Sequence, residues 1–191
     1  MVPVGGRYIV GVGGPVGGVQ SDMTVYDTLK EQEWTMVSTD AQRVLAMLDF
    51  PAVAAFPNAS EMSFIVHGGK PGNASLTGAE GNTFSGLVHR VKLEHLAGNP
   101  PTVTVTILAN AAEQPADLAP RYAHAAVIGG ADSTTLFIHG GYNLDGGPGV
   151  RDAATACGAN ATDHVWAFDL VAMQWDNATV AMVGQCKLTP D

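Results

Sequence analysis

Apolar residues in this chain gather into short runs that stop on paired glycines. The runs read RYIVGVGG at Arg7–Gly14, MSFIVHGG at Met62–Gly69 and TLFIHGG at Thr135–Gly141, and each leads through a loop to a second β-like segment. Short apolar runs bounded by Gly, Asp and Ser read as strands. Their recurrence outranks any single-site motif, because it sets the architecture before any residue is given a role.

The second and third copies overlay without a gap from Asp49 to Gly69 and from Arg121 to Gly141, an offset of 72 residues. His67-Gly68-Gly69 then falls on His139-Gly140-Gly141, and Val53–Phe56 on Ala125–Ile128. Downstream, MTVYD at Met23–Asp27 is followed seven residues later by Trp34, and VWAFD at Val165–Asp169 six residues later by Trp175. A strand, a short polar turn and a Trp-led strand make a hairpin. Each unit therefore reads as four antiparallel strands, which in the third are Arg121–Ile128, Thr135–His139, Asp163–Leu170 and Trp175–Met182. A repeating four-stranded sheet is the form of a propeller blade. The expected fold is all-β, with about three such blades: residues 1–37 (beginning at its second strand), 49–110 and 120–186.

These motifs together resemble the kelch repeat. The resemblance rests on the double glycines closing strand two (Gly13-Gly14, Gly68-Gly69, Gly140-Gly141), on Arg121 and His124 opening the third unit, on the strand-three aromatics Tyr26 and Phe168, and on Trp34 and Trp175. It implies a kelch-like β-propeller in which these residues are structural. Glycine permits positive φ and close backbone approach at a crowded strand end. A large flat side chain fills the wedge between twisted sheets. Unit two departs from the pattern, with Val91 in place of the aromatic, Lys92 where Asp27 and Asp169 stand, and no Trp in its fourth strand, Thr102–Leu108.

About two and three-quarter blades cannot close a ring that needs four to eight. We expect a segment of a longer propeller, the alternatives being a dimer that closes a six-bladed ring and docking on another protein's blades. In each case exposed blade faces mark interaction surfaces. Ser38–Leu48 reads as a linker with helix-compatible spacing.

Composition narrows the setting. At 191 residues, 46% apolar and 7% aromatic, the chain is globular. Its net charge of −9, with nine basic residues scattered singly, argues against nucleic acid and anionic membranes as partners. It has no apolar run of membrane-spanning length and no basic, then apolar, leader at its start. Four of eight asparagines (Asn58, Asn73, Asn160 and Asn177) begin Asn-X-Ser/Thr sequons where chance gives about one. If the third unit's last hairpin turns near Val171–Gln174, paired residue numbers sum to about 345. Cys157 then lies within two positions of Cys186, close enough for a disulfide; two buried free thiols are the other reading. Sequons and cysteines favour an extracellular or lumenal setting.

The chemistry is sparse. His67 and His139 are repeat equivalents, His124 belongs to the kelch-like pattern, and His89, His95 and His164 lie along third strands without metal-ligand spacing. A zinc or copper site drawn from separate loops stays open, but no cofactor is expected. The copper-radical oxidases that use a kelch-like propeller need a Tyr-Cys cross-link, and Tyr8, Tyr26 and Tyr122 read as strand residues. HGGYNLDGGPG at His139–Gly149 lacks the Lys and Ser/Thr of a P-loop. Partner binding is expected on the long loops Lys70–Thr83 and Gly141–Asp163, at Lys70, Asn82, Tyr142, Asn143 and Asp145. The resemblance implies a non-enzymatic protein-interaction or scaffold module. The alternatives are a segment of a secreted carbohydrate-acting propeller enzyme, with its catalytic residues outside this stretch, and a cytosolic kelch adaptor.

Overall fold

The structure, a computed structural model, describes residues 1–13, 23–36, 48–49, 51–58, 60–71, 86–94, 102–110, 113–115, 118, 121–143 and 165–176. In chain order the strands are β1 (Val2–Val4), β2 (Tyr8–Gly11), β3 (Met23–Asp27), β4 (Gln32–Met36), β5 (Leu48–Asp49), β6 (Ala52–Ala55), β7 (Ser63–His67) and β8 (Lys70–Pro71). The second half holds β9 (Val88–Glu94), β10 (Thr102–Ala109), β11 (Arg121–Tyr122), β12 (Ala125–Gly129), β13 (Thr135–His139), β14 (Tyr142–Asn143), β15 (Val165–Asp169) and β16 (Gln174–Asp176). They form three antiparallel four-stranded sheets, β1-β2-β3-β4, β6-β7-β9-β10 and β12-β13-β15-β16. Two short ladders, β5 with β8 and β11 with β14, extend the second and third sheets past the double glycines. The architecture is all-β and blade-like, and no helix among the described residues is long and apolar enough to cross a membrane.

Alternation sets the faces. Tyr8, Val10 and Val12 of the first unit pack with Phe64, Val66, Val91 and Leu93 of the second. Ile65, on the opposite face of β7, packs with Leu136, Ile138, Trp166 and Phe168 of the third. All five residues of β7 are therefore buried, as expected of a strand covered on both faces. The inner strand β6 is flanked by β1 and β12. The sheets thus stack in one direction: the face holding Ser63, Ile65 and His67 meets the next sheet, and the face holding Phe64 and Val66 meets the previous one.

The last hairpins of sheets one and three share a device. Asp27 and Asp169 end β3 and β15, and their Oδ1 atoms accept backbone N–H bonds from Leu29 (3.0 Å) and from Val171 and Ala172 (both 2.8 Å). Each turn closes on a residue with positive φ, Glu31 at 51° or Met173 at 57°. An Asp carbonyl mimicking a backbone acceptor is a standard way to start a turn.

Four expectations change. The first unit does not begin at its second strand: Val2–Val4 supplies an inner strand through Val2↔Val10 and Val4↔Tyr8. The 72-residue offset holds for β7 and β13 but not for the strands before them, because His67 pairs with Ala52 and His139 with Ala125, 73 positions on. Between the equivalent pairs Ala55↔Phe64 and Ile128↔Leu136 the chain runs through eight residues in sheet two and seven in sheet three, and this absorbs the slip. Trp34 and Trp175 are not register equivalents, since Trp175 pairs with Phe168 and Trp34 with Val25 rather than with Tyr26. The extra residue before Trp34 reverses its parity. Pairing in the last hairpin sums to 343, not 345 (Phe168↔Trp175), because the turn sits one residue earlier. Cys157 and Cys186 lie outside the described residues.

Candidate functional site

The densest polar chemistry lies where β7 ends against the start of sheet three. His67 is the last residue of β7, on the face turned to sheet three, and is fully buried. The chain then turns at Gly68 with φ of 69°, where an added Cβ would stand 2.5 Å from His124 Cε1 and closer still to the Arg121 carbonyl. Gly141 plays the same part on the other side, its Cβ position lying 2.6 Å from His124 Cβ at φ of 87°. Glycine is needed at both for conformation and for space. The close approach lets Gly69 N donate to the Arg121 carbonyl at 2.9 Å, while Arg121 Nη1 donates to Gly140 O at 2.9 Å.

Inside this joint, His67 Nδ1 lies 2.8 Å from His124 Nε2 with the rings edge to face. Gln114 Nε2 donates to the Gly86 carbonyl and stands 3.3 Å from His67 Nε2. An amide nitrogen only donates, which makes His67 Nε2 an acceptor and Nδ1–H the donor to His124. His124 then carries its own proton on Nδ1, a buried atom with no hydrogen-bond partner. Trp175 closes the site, its ring 5.6 Å from His67 and 4.9 Å from Phe168.

Electrostatics keep the pair neutral. Burial pushes His67 well below the usual imidazole range, and the positive charges of Arg121 and of any protonated His124 or His89 push it further. His124 falls to about 3 through burial and then Arg121. His89, on β9 opposite Val66, falls to about 4 through burial. Arg121 itself is lowered to about 10 by burial. Two neutral imidazoles buried between the sheets and joined by one hydrogen bond fix how sheet two meets sheet three. Among the described residues no group of three or more His, Cys, Asp or Glu is placed to hold a metal ion.

A second polar pair fastens sheet one. Arg7 Nε donates to Asp27 Oδ1 at 2.8 Å and Nη2 to Oδ2 at 2.5 Å, with Asp27 fully buried. The Arg7 bond, then the Leu29 N–H, hold the Asp27 carboxyl at about 2. In Asp169 the Ala172 and Val171 N–H groups lower the carboxyl in the same direction.

The structure separates residues that the sequence groups. Gly13, Gly68 and Gly140 share φ of 69–71°, the same conformation at the same strand end. His67 is buried while His139, its strand-two equivalent, is exposed, because no described residue covers sheet three as sheet three covers sheet two. Tyr26 is half-buried and Phe168 fully buried, with Val91 taking Phe168's register place opposite Phe64. Lys70, Tyr142 and Asn143 lie in the short ladders at the roots of the long loops. Asn58 is exposed in the connection between β6 and β7. Gly14, Asn73, Asn82, Asp145, Asn160 and Asn177 lie outside the described residues. Gln114 and the His67–His124 contact escape a sequence reading, because the three residues are scattered along the chain and meet only where sheet three packs on the end of β7. No family model matches the chain, and no curated protein sequence matches it.

Proposed function

We propose that the three sheets are consecutive blades of a kelch-like β-propeller and that the protein is a non-enzymatic interaction or scaffold module of the extracellular space or secretory lumen. One observation carries the reading: the sheets pack in one direction, and among the described residues nothing covers either terminal face, each with apolar residues at its centre. On sheet one that face holds Ile9, 38% exposed and paired with Tyr26. On sheet three it holds Val127, 60% exposed and paired with a half-buried Phe137. Apolar sheet faces exposed in this way are sites where further protein packs. Lys70 and Tyr142, paired in the short ladders, suit a second, more specific contact. The sequons support the compartment.

Light scattering after size exclusion tests the reading. The chain is expected to self-associate or to bind a hydrophobic dye, and Val127→Asp or Ile9→Asp to relieve this without unfolding the protein. A monodisperse monomer that binds no dye, with variants indistinguishable from it, overturns the proposal.

A further inference from the structure

The connection from β6 to β7 carries the sequon Asn58-Ala59-Ser60, and its geometry goes beyond the motif. Asn58 Oδ1 accepts two hydrogen bonds from Ser60, one from the backbone N–H at 3.0 Å and one from the hydroxyl at 2.9 Å. The Asn58 carbonyl accepts the Glu61 N–H at 2.9 Å, closing a local turn. A carboxamide oxygen has two lone pairs, and both are engaged. Donors on that oxygen draw electron density from the amide and make its N–H more acidic. They also leave Nδ2 as the free end of an exposed side chain.

Asn58 borders an open cleft of about 270 Å³ between sheets two and three, with Phe56, Pro57, Arg90, Asp132 and Thr134 among its walls. Space for a bulky substituent therefore exists beside the amide. The hydrogen bonds of the turn run only among Asn58, Ser60 and Glu61, and none of them reaches a neighbouring strand. The turn also lies before the start of β7, whereas Gly68, Gly69 and Lys70 lie past its end, about 17 Å away at 3.4 Å per residue.

We infer that Asn58 is an acceptor for an N-linked glycan, a proposal that rests on the secretory placement above. In the transfer, Nδ2 forms a bond to the anomeric carbon of a lipid-diphosphate-linked oligosaccharide. The bond from that carbon to the diphosphate oxygen breaks, the lipid diphosphate leaves with the electron pair, and one amide proton passes to the transferase. No redox change occurs. The sugar stands over the cleft, at the end of the strands opposite Lys70 and Tyr142.

The test is glycopeptide mass spectrometry of the full chain secreted by eukaryotic cells, before and after amidase release in heavy-oxygen water. The peptide containing Asn58 is expected to carry a glycan and to convert Asn58 to labelled Asp. Ser60→Ala should cut occupancy by about tenfold or more, and Ser60→Thr should keep it, because Thr retains the hydroxyl that engages Oδ1. A bare Asn58 beside occupied Asn73, Asn160 or Asn177 overturns the site and leaves the compartment standing. A secreted chain bare at all four overturns the site alone. A chain retained unglycosylated in the cytosol overturns both.

Discussion

Acidification should unfold this protein steeply, and the joint between sheets two and three says by how much. His67, His124 and His89 are buried and neutral, with His124 lowered to about 3, His89 to about 4, and His67 well below the usual range. In the unfolded chain each titrates at about 6.5. Above that value neither state binds these protons, and stability is unaffected. Below it the unfolded state takes up a proton that the folded state refuses, so stability falls with decreasing pH by about 1.4 kcal/mol per unit for each histidine. His124 and His89 together give about 3 kcal/mol per unit, or about 5 kcal/mol between pH 6.5 and 4.5, and His67 adds to this in the same direction, against a whole stability of about 5–15 kcal/mol for an ordinary domain. Urea titrations followed by tryptophan fluorescence at half-unit steps from pH 7.5 should show a plateau, then a slope approaching three protons. His124→Asn combined with His67→Leu lowers the plateau but should reduce the slope to about one proton, that of His89. A wild-type slope below one proton between pH 6.5 and 4.5 would refute the sealed, neutral joint.

Other perturbations probe neighbouring steps of the argument. Gly68→Ala meets both a positive φ and the His124 ring, and should cost at least about 2 kcal/mol by chemical denaturation; a change under about 0.5 kcal/mol would mean that the two sheets do not approach there. Trp175 is half-buried against Phe168 and His67, so Trp175→Ala should cost about 2–3 kcal/mol, below the 3–5 of a fully buried aromatic. A loss below about 1 kcal/mol would remove Trp175 from the joint. His139→Ala should stay within about 0.5 kcal/mol of wild type while His67→Ala is severely destabilised, and equal effects would contradict the contrast in burial. Asp27→Asn should lower the melting temperature at pH 7. The stabilisation from Asp27 is complete above pH 4 and lost as pH falls towards about 2, so the two proteins should converge at the acid end.

The strands were legible because each declares itself locally: SFIVH and TLFIH are apolar runs closed by glycine, and MTVYD and VWAFD end on the Asp that starts the turn. The four-strand count followed from that repetition. Register was harder, because it depends on connection length, and one residue more or less reverses parity. That is why the 72-residue offset seemed to continue through strand one, whereas Trp34 looked equivalent to Trp175 although, after turns of equal length, it stands one position further along its strand. The strand Val2–Val4 is three residues long and carries a proline, so it leaves almost no pattern of its own; its partner Tyr8–Gly11 reveals it. Of the candidate site, the sequence marked the glycines, Arg121 and His124. It could not reveal Gln114, which enters from an irregular segment, nor the difference between His67 and His139, which depends on what lies above each sheet.

The double burial of β7 bears on how the chain is made. A strand with all five residues covered has no self-sufficient sheet to belong to, and its two covers are synthesised far apart in time. Sheet one leaves the ribosome first and can receive Phe64 and Val66 at once, but Ile65 and His67 must wait for sheet three, whose last strand β16 is completed 67 residues after β10. At bacterial or eukaryotic translation rates that is an interval of about 3–13 s. For those seconds the nascent chain presents the face built from Ser63, Ile65 and His67 to the surrounding medium. Slowing elongation between β10 and β16 should therefore increase chaperone binding and aggregation of the nascent chain, while the same pause placed after β16 should have little effect.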